Sequence, residues 1–215
     1  MMNVRQLFWI GSCVLILSAC KKEENDPPVT TPPPTPTDQF TPSLNGTQGV
    51  QMQVDGEEVT FVHGGSRIPF YFADGVIDPP QSYKFYAAGI YDGSVSTNVF
   101  ELKVGTLNYA DDFFDPALFQ QFFNVGPRTF GNTTSINLSR VAIEYTDDNG
   151  VLWSTQQGSA LQIGSAFEFT EVATDQDDQG VWVKAIAQFS CTVYNASGTS
   201  RTITNGESML EFRDY

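Results

Sequence analysis

Residues 181–194 read VWVKAIAQFSCTVY. Val181, Val183, Ala185, Ala187, Phe189, Cys191 and Val193 are apolar or small. Trp182, Lys184, Ile186, Gln188, Ser190, Thr192 and Tyr194 interleave with them. A sustained period of two places successive side chains on opposite faces of an extended chain. The stretch therefore predicts a long β-strand with one face on the core and the other mostly wet. Its neighbours read the same way. Asn195 to Gly198 turns the chain into Ser200 to Ile203, and Asn205-Gly206 predicts a bulge before Met209 to Phe212. Upstream, Ala160 to Ala173 alternates, but Val172 falls out of phase with Phe167 and Phe169, which predicts a bulge near Thr170 or Glu171.

Further toward the N-terminus, Val50, Met52 and Val54 precede Asp55-Gly56, and Val59 and Phe61 follow it. An Asp-Gly pair between two alternating runs is a strong hairpin signal. Ile68 to Phe72, Tyr83 to Tyr91, Val99 to Val104 and Asn137 to Thr146 predict further strands. Asp78-Pro79-Pro80 separates the first two of these, and Asp147-Asp148-Asn149-Gly150 turns into Val151-Leu152-Trp153. Residues 111–125 break the pattern. Asp115 predicts a helix cap, Pro116 suits the first helical position, and Leu118, Phe119, Phe122 and Phe123 recur at helical spacing up to Asn124 and Gly126. The expected fold is all-β, an antiparallel sandwich or small barrel with one short helix that closes it or covers an edge.

The N-terminus is different in kind. Arg5 precedes an apolar run from Leu7 to Leu17, too short to span a bilayer comfortably. Leu17-Ser18-Ala19-Cys20 follows, then Lys21-Lys22-Glu23-Glu24 and a stretch rich in proline and threonine. The four residues resemble the lipobox of a bacterial lipoprotein. The resemblance implies cleavage before Cys20 and acylation of Cys20, so residues 1–19 are the expected signal peptide. A plain secretory signal cleaved after Ala19, or a retained anchor, remain as alternatives. Residues 20–43 read as a linker, because proline fixes φ and removes donors. Residues 44–215 are the expected β-domain. Lys22-Glu23-Glu24 is similar to the short export signal of Bacteroidetes surface lipoproteins. That implies an outer-membrane protein facing the cell surface, although such charges also simply keep a linker solvated.

Val54-Asp55-Gly56, Trp153 with Gly158, Phe189, and Ile203-Thr204-Asn205-Gly206 resemble patches of an uncharacterised family of β-rich Bacteroidetes lipoproteins. This resemblance implies fold and location, and no chemistry.

The chain carries 11 Lys and Arg against 25 Asp and Glu, a formal charge of −14. Such a surface repels phosphate backbones, so nucleic acid is not an expected partner. His63 is the single histidine. Beside Gly64-Gly65 it reads as a loop residue, and a multi-histidine metal site cannot be built. Of the three cysteines, Cys13 lies in the signal and Cys20 at the lipid site, so Cys191 has no partner within the domain. The alternation predicts a buried, inert thiol there. Asp175-Gln176-Asp177-Asp178-Gln179-Gly180 resembles the start of a calcium loop. Its twelfth position is Ile186, where a bidentate glutamate is needed, so an acidic hairpin turn is the better reading. Asp111, Asp112 and Asp115 are the densest acids, next to the expected helix cap. No catalytic, cofactor or metal residue is assigned, and no cofactor is expected. The expected function is a non-enzymatic binding or structural module, joined to the membrane by its lipid, with a glycan or a protein as ligand. The alternative is a glycan-directed hydrolase with paired carboxylates.

Overall fold

A computed structural model of the chain describes residues 40–76, 82–95, 98–109, 115–131, 140–158, 161–178 and 180–214. Cys20, the signal and most of the linker lie outside the described residues. So do Asp111, Asp112, the Asp78-Pro79-Pro80 connection and the start of the strand expected from Asn137.

The described chain is strand throughout, apart from turns and one helix. β1 (Gly49–Val54) and β2 (Glu57–Val62) form the first hairpin, followed by β3 (Arg67–Val76), β4 (Ser82–Asp92) and β5 (Val99–Tyr109). Helix α1 (Pro116–Phe122) precedes the two-residue strands β6 (Gly126–Pro127) and β7 (Thr129–Phe130). Then come β8 (Arg140–Thr146), β9 (Leu152–Ser154), β10 (Ala166–Asp177), β11 (Gly180–Tyr194) and β12 (Ser200–Asp214). All twelve belong to one curled sheet whose main path runs β2-β1-β12-β11-β9-β8-β5-β4-β3, with β10 added beside β11 and β6 beside β10. Pairing is antiparallel except at the short β7–β8 contact. The expected all-β antiparallel fold with one short helix is thus the observed one, built as a sheet that curls over its own core.

The local signals are realised where the residues place them. Asp55 and Gly56 both take positive φ, 53° and 88°, in the tight turn that β1 and β2 require. β12 slips register against β11 between Phe189 and Cys191, and Asn205 adopts φ 50° in that bulge. β10 slips between Phe169 and Glu171, as its phase change predicts. The β10 strand itself begins at Ala166, later than its alternation suggests. In α1 the Asp115 carboxylate accepts from the amides of Ala117 and Leu118, and Pro116 occupies the first turn.

Every odd-numbered residue from Val181 to Val193 is buried, Cys191 included. The two halves of the sheet meet through rings: Phe61 of β2 lies 6.2 Å from Phe100 of β5, and Phe100 stacks on Phe189 of β11 at 5.9 Å. Phe119 and Phe123 of the helix close one end against Tyr86, Phe169 and Phe212. The even-numbered face of β11 is not uniformly wet. Ile186 is buried there with Met209 beneath Phe40 and Leu44. The Phe40 ring fits because Gly49 has no side chain; a Cβ at that position would stand 2.5 Å from it.

Candidate functional site

The outer face of the first half of the sheet carries a trough of about 700 Å³. Its floor is one row of side chains held in lateral register. Gln51 of β1 faces Glu207 of β12, Glu207 faces Gln188 of β11, Gln188 faces Glu168 of β10, and Glu168 faces Pro127 of β6. Amide and carboxylate alternate along it. Strand pairing sets the spacing at about 4.8 Å per step. Gln188 Nε2 donates to Glu207 Oε1 at 3.2 Å, and Asn205 Nδ2 donates to Gln53 Oε1 at 3.0 Å beside the row. Gln51 Oε1 is shielded from solvent and meets no donor among the described residues. Among the described residues, no lysine or arginine lines the trough. The bulge in β12 shapes its middle. Phe189 packs its ring over Gly206, where a Cβ would stand 2.3 Å away.

Among the described residues three buried carboxylates lie elsewhere, Asp214, Asp147 and Glu211, and the last is held by Arg213 Nε at 2.6 Å. Asp214, at the end of β12, receives Tyr86 Oη at 2.5 Å and Tyr109 Oη at 3.3 Å, and Lys84 Nζ stands 2.5 Å from its other oxygen. Burial, with the nearby Asp214 charge, pushes the Tyr86 and Tyr109 hydroxyls far above their usual range, so both remain donors. Asp147 accepts from the amides of Asn149 and Val151 and from Trp153 Nε1. Arg201 lies 3.5 Å from it and stacks 4.4 Å over the Trp153 ring. Burial acts to raise the Asp147 carboxyl, but these donors and Arg201 outweigh it and hold it below the usual range. A second, smaller cavity of about 420 Å³ lies beside this cluster, between Asp55, Glu57 and Asp147.

The described acids that oppose each other in strand register are Glu101 and Glu144, across β5 and β8. Lys103 Nζ sits between them, 3.5 Å and 2.7 Å away. Burial pushes the Glu101 carboxyl up, against the pull of Lys103. An ammonium therefore occupies the space that a glycosidic oxygen would need. On the outer face of β3 and β4, Ile68, Phe72, Val76 and Tyr91 are exposed. Phe70 pairs with Tyr91 at 6.1 Å and Phe72 with Phe85 at 5.9 Å. This is an apolar patch, with phenylalanine its main component.

His63 is exposed in the β2–β3 connection. Cys191 is a buried free thiol, pushed well up by desolvation. Of the acidic run, Asp175, Gln176 and Asp177 end β10 in pairing with the start of β11, with Asp177 3.1 Å from Arg213, and Gln179 lies outside the described residues. Among the described residues, no three His, Cys, Asp or Glu side chains gather as a metal site. Asp115 serves the helix cap. Among the described residues, the structure therefore assembles none of the weighed chemistry-bearing side chains into one place. The trough residues were missed because Gln51 and Glu207 are joined only by pairing between the first and last strands. Their sequence signal is limited to an outward position on each strand.

No protein-family model matches the chain, and no curated protein and no solved structure shows a significant match.

Proposed function

We propose that the protein is an outer-membrane lipoprotein, acylated on Cys20, whose β-domain is a non-enzymatic binding module facing the cell surface. The lipobox-like Leu17-Ser18-Ala19-Cys20 and the Lys22-Glu23-Glu24 cluster support the anchoring and the orientation. One acyl chain binds membranes only marginally, and lipoprotein maturation supplies several on one cysteine. Among the described residues no helix is long and apolar enough to cross a membrane. The observation that carries the binding reading is the trough. It is a pre-formed concavity whose polar floor lies in register across four strands and ends at β6.

The test uses the mature chain freed of its lipid. The native trough is expected to retain a ligand in a screen of glycans and proteins, and Gln188→Ala with Glu207→Ala is expected to release it. Turnover of a bound glycan that disappears in Glu168→Gln or Glu207→Gln would replace this reading with a hydrolase. For the anchor, Cys20→Ala is expected to move the protein from membranes to the soluble fraction. Continued partitioning of the variant with membranes would make the apolar run at residues 7–17 the anchor. Protease shaving of intact cells tests the orientation: the native domain is expected to be cleaved, and Glu23→Ala with Glu24→Ala to protect it. Protection of the native domain, with purified protein shown to be cleavable, would place it in the periplasm.

A further inference from the structure

We infer that the trough holds an extended, uncharged polysaccharide laid across the strands. This rests on the binding-module reading above and adds the ligand class. Three properties of the row Gln51-Glu207-Gln188-Glu168 lead to it.

The first is spacing. Successive side chains of the row are one strand apart, about 4.8 Å. That is close to the length of one pyranose unit in an extended chain, so each unit meets one side chain. A peptide lying the same way presents side chains on one face about every 6.6 Å and drifts out of step within two strands. At the trough β1, β12 and β11 are paired on both sides, and β6 covers β10 at Glu168 and Phe169, so none of these four strands offers a peptide a free edge there.

The second is hydrogen-bonding type. A sugar hydroxyl both donates and accepts, and neighbouring hydroxyls repeat that pair. Alternating amides and carboxylates present NH₂ donors and oxygen acceptors in the same alternation. The one internal bond, Gln188 to Glu207, uses a single oxygen and leaves the rest of both groups available.

The third is charge. Glu58, Glu168 and Glu207 line the trough with no lysine or arginine beside them among the described residues. A polymer of uronic acid or sulfated sugar would bring like charges together at close range. An uncharged chain avoids this repulsion, and its hydroxyls still donate charge-assisted hydrogen bonds to the carboxylates.

The experiment is calorimetric titration of the lipid-free mature chain. The probes are gluco-, xylo- and manno-oligosaccharides of two to six units and oligogalacturonates of the same lengths. At least one neutral series is expected to bind, tightening with length up to about four units, one per strand of the row, and then levelling off. The oligogalacturonates are expected not to bind. Gln188 is exposed, so Gln188→Ala keeps the fold by circular dichroism and is expected to weaken the neutral ligand roughly tenfold or more. Glu168→Gln with Glu207→Gln is expected to admit the oligogalacturonates. Failure of every neutral series, or an affinity that Gln188→Ala leaves unchanged, overturns the inference. If polylysine binds in place of the sugars, and the double glutamine variant abolishes that, the ligand class is wrong and the binding module stands. If neither sugar nor polylysine binds the folded protein, both readings fall.

Discussion

Asp214 is the residue on which the two halves of the sheet most depend. Its carboxylate is buried at the last described position of the chain and is answered by Lys84, Tyr86 and Tyr109 from β4 and β5. A buried carboxylate deprived of its cation is costly, so Lys84→Met is expected to lower stability by about 3 kcal/mol in urea denaturation. Asp147 gives a pH signature. Its folded carboxyl lies below the usual range while the unfolded one titrates near about 3.9. The native state therefore binds that proton less readily than the unfolded chain. This contribution is present above the unfolded value and is lost as pH falls from there through the folded value. Asp147→Asn is expected to flatten that part of the stability curve, measured as the denaturation midpoint from pH 5 downward. Cys191 should resist a thiol reagent until the protein unfolds, because the thiolate is disfavoured and covered. Rapid labelling of the native protein would contradict the packing of β11.

At the scale of elements, local chemistry was legible and lateral register was not. Asp115-Pro116 marked the helix start, and Asp115→Ala is expected to cost about 1 kcal/mol by the same denaturation measurement. Asp55-Gly56 marked the hairpin, and Asn205-Gly206 marked the bulge, because those residues tolerate or permit backbone that others resist. The alternation of β11 marked its buried face. Ile186 escaped that pattern: its cover comes from Phe40, within the stretch read as linker and far away in the chain. The trough escaped for the same reason. No local rule states that Gln51, Glu207, Gln188 and Glu168 share a line, since strand order and bulge positions set it together. The bulge offers a direct check. Gly206→Val drives a side chain into the Phe189 ring and is expected to destabilise strongly. Adding Phe189→Ala should recover part of the loss, so the two changes will not be additive.

For the whole molecule, the aromatic core explains how one sheet replaces two. Phe61, Phe100 and Phe189 bridge the facing halves, Phe167 stacks on Phe189 from the neighbouring strand, and α1 with its C-cap plugs one end with Phe119 and Phe123. The trough lies on the outside of this shell, so changes to it should alter binding with little effect on stability. The position of β12 has a further consequence. The final strand lies between β1, the first, and β11, in the middle of the path. During synthesis the opening hairpin must wait for residues 200–214 to emerge before its own neighbour exists. Pairings this distant in sequence close slowly. A nascent chain halted before residue 200 is therefore expected to remain sensitive to protease along most of its length, becoming resistant only once β12 has emerged. A polypeptide that postpones its own closure in this way stays threadable until β12 has emerged.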